Sequence, residues 1–227
     1  MVSDNSLTQP TTTHEPHTAS NQPTALDADA LLQASRRVDW RFLLPDPNLG
    51  RVGYFGPPQG ALVESLRLFS AALAIGEAAG AGAQYDLVVA HHPSLDHLRR
   101  VAGLVRPGGF LYVEVYGPFH PRQLRRGLSR WPRFAADYLA AVERMGLAEA
   151  VAHWHWPNFE SCAEIVPLAD ADAMLLALGR RRSRAGARLK SVAGRVLLRS
   201  GLFGRLAPCF SVVACKPESA NSANVRE

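Results

Sequence analysis

The chain has 227 residues, 47% of them hydrophobic, and a formal net charge of +5. That is enough for one domain with a sizeable core and does not require a second. No run of about 18 apolar residues is present, so no transmembrane helix is expected, and the polar stretch from Met1 to Pro23 lacks the apolar segment of a secretory signal. The three cysteines, Cys162, Cys209 and Cys215, are widely spaced and form no CxxC pair. Neither a zinc site nor a disulfide framework is expected from them, and a reducing cytoplasm is the simplest home.

Residues 1 to about 25 and the tail after Pro217 are too polar to offset their ordering entropy and read as disordered, leaving one domain over 26–217. A helix is expected from Asp27 or Asp29 to Arg37, with the Asp27 carboxylate as its cap. Arg51–Phe55 reads as a strand that runs into Gly56-Pro-Pro-Gln-Gly60. Ala61–Phe69 follows as a helix with Leu62, Leu66 and Phe69 on one face. Ala71–Ile75 is a short strand, and Tyr85–Ala90 a buried one, apolar on both faces. Ser94–Val105 has helical spacing, Pro107-Gly108-Gly109 reads as a sharp turn, and Phe110–Tyr116 is the strongest strand pattern. A helix over Trp131–Met145 is closed by Gly146 as a left-handed cap. A strand over Glu149–Trp156, helices over Asp170–Arg182 and Arg188–Phe203, and a strand over Phe210–Cys215 complete the chain. Strands alternating with helices imply a doubly wound, mostly parallel α/β sheet.

The run Tyr85-Asp-Leu-Val-Val-Ala-His-His, a helix, and then Leu104-Val-Arg-Pro-Gly-Gly-Phe-Leu-Tyr-Val-Glu-Val resembles the fourth and fifth strand units of the class I S-adenosylmethionine-dependent methyltransferases. Phe210-Ser-Val-Val-Ala-Cys-Lys-Pro is similar to that family's last, antiparallel strand. The resemblance implies a Rossmann-like fold and S-adenosylmethionine as cofactor, with Gly53, Gly56 and Gly60 shaping the cofactor loop and Glu77 holding the ribose hydroxyls. Two departures stand out. The family's loop reads acid-x-G-x-G-x-G, and here the acid is missing and two prolines stiffen the turn. Only seven residues separate Glu77 from Tyr85, too few for the helix, third strand and second helix the family places there. The third-strand region is therefore expected to be shortened or missing.

His91 and His92 lie just past the carboxyl end of a central strand, the edge where open α/β sheets place their sites. A histidine is suited to take a proton there, and only one of the two would point inward from an extended strand. Glu114 and Tyr116 share a face at the end of the next strand, with His120 on the following loop, and are the substrate-side candidates. Glu114, inside an apolar strand, needs a partner, and an arginine paired for structure alone is the alternative. Glu160 is a further candidate for the substrate side. In His153-Trp-His-Trp156 the histidines face one way and the tryptophans the other, but no third metal ligand is evident, so no metal is expected. Cys162 has no pattern of supporting residues and reads as an inert thiol. Arg180–Arg205, the basic part of a helical insertion over 170–206, carries nine Arg or Lys residues and no acid. It reads as a solvated helix packed on the domain, a lid over an anionic substrate, or a surface for an anionic membrane or an acidic protein. It lacks the interleaved aromatics of a single-strand nucleic-acid binder. Two functions remain open: methyl transfer to a small-molecule or glycan-like acceptor, or a non-catalytic scaffold acting as a partner or regulatory subunit.

Overall fold

The computed structural model describes residues 27–76, 82–117, 120, 134–179, 196 and 203–218. The expected terminal tails, Glu77 and nearly all of the basic insertion lie outside these residues. In chain order the elements are α1 (Ala28–Arg37), a 3-10 turn (Asp39–Leu43), β1 (Arg51–Phe55), α2 (Ala61–Phe69), β2 (Ala72–Ile75), β3 (Tyr85–His91), α3 (Leu95–Ala102) and β4 (Val105–Tyr116). They continue with α4 (Ala135–Arg144), β5 (Ala148–Trp156), β6 (Glu164–Pro167), α5 (Ala171–Gly179), α6 (Phe203–Leu206) and β7 (Cys209–Cys215). The seven strands form one sheet in the order β2-β1-β3-β4-β7-β5-β6. β1 pairs in parallel with both β2 and β3, and β3 with β4. β7 runs antiparallel between β4 and β5, as expected for the last strand, and β6 adds an antiparallel edge.

Strand alternation puts two different layers on the two faces. Val88, Ala90, Leu111 and Val113 pack with Leu98 of α3 and Val142 of α4. On the opposite face Tyr54, Leu87, Val89 and Tyr112 pack with Leu66 of α2 and with Trp40 of the 3-10 turn. The Trp40 ring stacks on Tyr112 with centroids 3.7 Å apart, which fixes the segment after α1 onto the sheet. Because β1 leads outward to β2 while β3 returns on the other side of β1, the switch point lies between the carboxyl ends of β1 and β3, where such sheets leave a crevice.

Two local expectations are corrected, and one strand is added. Asp27 occupies the N-cap position of α1, but its side chain makes no capping hydrogen bond. Pro107-Gly108-Gly109 is an irregularity within β4 instead of a turn before it: Tyr85 pairs with Val105 and Leu87 with Phe110. The backbone of β7's end grips it, with Gly108 N–H donating to the Lys216 carbonyl and Lys216 N–H to the Gly109 carbonyl, both at 2.8 Å. β6 was not expected; at four residues it is too short to show a period of its own. The helix expected over Asp170–Arg182 is present as α5 up to Gly179, and Arg180–Arg182 lie outside the described residues.

Candidate functional site

The carboxyl ends of β3 and β4 carry a buried polar centre. In register, His91 of β3 lies opposite Glu114 of β4. Glu114 is fully buried, and Arg37, at the end of α1, meets it with NH1 on Oε1 and NH2 on Oε2, both at 2.7 Å. Tyr112 Oη donates to Oε1 at 3.1 Å, and His91 Nδ1 lies 3.1 Å from Oε2. Burial alone would raise the Glu114 pKa, but the Arg37 guanidinium and the bonds from it and His91 outweigh burial and hold the carboxyl well below its usual range. A buried carboxylate so fully partnered has no bond left to offer a substrate. The substrate-side role expected of Glu114 is thereby replaced by the other option, an arginine partner. That partner, 77 residues away, could not be named from sequence.

The two histidines do not alternate in and out. His92 leaves the strand with φ 51, which turns its ring onto Tyr116. His91 therefore faces Glu114 while His92 accepts a hydrogen bond at Nδ1 from the Tyr116 N–H at 3.1 Å and stacks on the Tyr116 ring at 4.1 Å. His120 stacks on Tyr116 at 4.2 Å, and Tyr116 Oη donates to Glu160 at 2.7 Å. The structure thus gathers His91 with Glu114, and His92, Tyr116 and His120 with Glu160. Deeper along the sheet, Ser211 Oγ lies 2.8 Å from His155 Nε2, and His155 Nδ1 lies 3.5 Å from Cys162 Sγ. Burial pushes His155 down to about 3 and the Cys162 thiol up to about 11, so this pair is an uncharged imidazole and an intact thiol. Burial likewise pushes His153 down to about 4. Among the described residues no group of His, Cys, Asp and Glu is arranged to hold a metal.

The glycine loop is differently placed from its sequence reading. Gly53 lies inside β1, not in the loop, and a Cβ there would stand 2.8 Å from the Tyr85 ring. A Cβ at Gly56 would stand 2.6 Å from the Tyr54 hydroxyl and 2.7 Å from His91 Cβ. Both glycines are thus explained by the protein's own packing. Only Gly60, with φ 121 and nothing within 4 Å, faces open space. Registered on Gly56 and Gly60, the acid-x-G-x-G-x-G pattern places Tyr54 at the acid and Pro58 at the second glycine. Tyr54 is buried, and burial, with the Glu114 charge, pushes its pKa up to about 12, so its neutral phenol fills the space over Gly56. A cofactor approaching the backbone at Gly56 does not fit these residues. The expected ribose ligand, Glu77, falls outside the described residues.

Beyond the loop, a groove of about 920 Å³ runs between α1 and α2. Ala30 and Ala34 line one wall, Ala61 and Ser65 the other, and the turn at Ser161–Ala163 closes one end. Helical spacing of three and four puts each set of residues on one face. Neither His91 nor His92 lines this groove.

No protein-family model and no curated protein matches the chain. Among solved structures, phosphoethanolamine N-methyltransferase 2 of Haemonchus contortus overlays at 12% identity and TM-score 0.46, over 81% of this chain and 52% of that one. A SAM-dependent methyltransferase of Archaeoglobus fulgidus overlays at 14% and 0.46, over 82% and 93%. An N-methyltransferase of Bradyrhizobium japonicum does so at 12% and 0.40, over 84% and 96%. The chain spans about half the length of the first of these. Overlays this loose carry no argument about site or reaction. The sheet itself, with its switch point, its helices on both faces and its antiparallel last strand, defines a methyltransferase-like Rossmann fold with no third strand beyond β2 among the described residues.

Proposed function

We propose that the chain is a methyltransferase-like scaffold that does not hold S-adenosylmethionine at its glycine loop and serves as a partner or regulatory subunit. The observation that carries this reading is the Tyr54 hydroxyl packed over Gly56, with Pro58 at the pattern's second glycine. The short connection from β2 to β3 supports it. Calorimetric titration with S-adenosylmethionine and S-adenosylhomocysteine tests it. No binding up to about 1 mM is expected from protein that circular dichroism shows to be folded, since about 4 kcal/mol is the most such a site would then supply. Micromolar binding of either compound overturns the reading.

Methyl transfer to a small-molecule or glycan-like acceptor is the second reading, and the groove beside the first turn of α2 favours it. In that case Glu114 would hold His91 at Nδ1 and leave Nε2 to take the acceptor's proton. The absence of both histidines from the residues lining the groove counts against it. The basic segment at Arg180–Arg205 would dock an acidic protein or an anionic membrane in either reading. Among the described residues no helix is long and apolar enough to cross a membrane.

A further inference from the structure

Most charged side chains around the α1–α2 groove are already committed. Arg37 is held by Glu114, Glu64 by Arg67 at 2.6 Å, and Glu160 accepts the Tyr116 hydroxyl. Arg36 and Asp39 differ: both line the groove, and neither makes a side-chain hydrogen bond or ion pair among the described residues. They sit three residues apart yet on different elements, Arg36 in the last turn of α1 and Asp39 at the start of the 3-10 turn. The break at Val38 therefore holds a guanidinium and a carboxylate around one cavity without joining them.

That arrangement selects for a ligand with both charges. An anion alone would meet Arg36 but also Asp39 and Glu160; a cation alone would meet the carboxylates but also Arg36. A ligand with an ammonium and an anionic group can satisfy both, and charged hydrogen bonds of this kind are the stronger ones. The small apolar walls, Ala30, Ala34 and Ala61, leave room for a carbon skeleton, and the volume falls within the range of small-molecule sites. We propose that the α1–α2 groove binds a small zwitterion of the amino-acid class, with its anionic group on Arg36 and its ammonium on Asp39. The site is separate from the glycine loop and does not rest on the scaffold reading.

The test is a ligand-observed NMR screen of the full chain against the free proteinogenic amino acids, each at about 5 mM. At least one is expected to bind. Its decarboxylated amine and its deaminated acid are expected to bind at least about tenfold more weakly, as are Arg36→Gln and Asp39→Asn with the intact amino acid, the factor a lost charged hydrogen bond implies. Both side chains project into the groove without internal partners, so the variants are expected to fold, and circular dichroism checks this. No binding by any amino acid overturns the proposal. So does equal binding of the amine or the acid, or unchanged affinity in both variants. Micromolar binding of S-adenosylmethionine that Arg36→Gln and Asp39→Asn leave unchanged would overturn the scaffold reading while leaving the groove's charge selectivity in place.

Discussion

The carboxyl edge over β3 and β4 and the edge over β1 and α2 are neighbours, and they use their polar groups differently. Over β3 and β4, Arg37, Glu114, Tyr112 and His91 are spent on one another in a buried cluster. Over β1 and α2, Gly60 faces open space, and Arg36 and Asp39 line the nearby groove unpaired. Residue types alone would put the site at the first edge, because it has the histidines and the carboxylate. Commitment reverses that ranking: a group whose bonds are filled holds the fold, and a group with bonds to spare can hold a ligand.

The contrast is sharpest if the buried ion pair is broken on one side. Arg37→Met leaves Glu114 buried and unopposed, and is expected to cost about 3–5 kcal/mol in urea denaturation. The double variant Arg37→Met, Glu114→Gln is expected to recover much of that loss. An equal loss in the double variant would mean that packing, not charge, is what the pair supplies.

Acid tests the buried histidines of β5, on the antiparallel side of the sheet. Buried His153 and His155 stay neutral in the fold, at about 4 and about 3, while the unfolded chain protonates them near 6.5. The unfolded state then binds more protons, so stability falls as pH drops below about 6.5, by up to about 1.4 kcal/mol per pH unit for each histidine. Glu114, depressed in the fold, adds its own loss only below about pH 4. Thermal melts between pH 7.5 and 5 check the sign; a flat melting temperature over that range would place the histidines in contact with water.

The loop responds more mildly. Gly56→Ala is expected to cost about 1–3 kcal/mol by overpacking, and adding Tyr54→Phe, which removes the hydroxyl 2.6 Å from the new Cβ, is expected to return part of it. No return would show that His91, and not Tyr54, closes the loop. The smallest effect is kinetic. With its thiol pushed up to about 11, Cys162 is expected to alkylate with iodoacetamide at pH 7.5 on the order of a hundredfold more slowly than an unperturbed cysteine. A rate equal to that of a small free thiol would contradict its burial.

Much of the scaffold was legible in the chain. The apolar runs at Tyr85–Ala90 and Phe110–Tyr116 announce central strands because a strand buried on both faces must be apolar on both. The loop's register was legible as well: a strand ending at Phe55 places Gly53 inside it, so Gly56 and Gly60 are the loop's own glycines and Tyr54 stands at the acid position. Taking three glycines as equivalent hid this. β6 was not legible, since four residues with no clear alternation carry too little signal.

The sequence by itself determined most of the strands and helices and the order in which they alternate, because those follow from local periodicity and turn chemistry; the antiparallel sense of the last strand came only from its resemblance to a known family. Tertiary structure alone decided which polar residues are occupied. Arg37 reaches Glu114 across 77 positions, Glu160 meets Tyr116 across 44, and the break at Val38 leaves Arg36 and Asp39 without partners. These contacts depend on strand register and on how α1 docks through Trp40, and a chain read residue by residue has no distance with which to tell a spent charge from a free one.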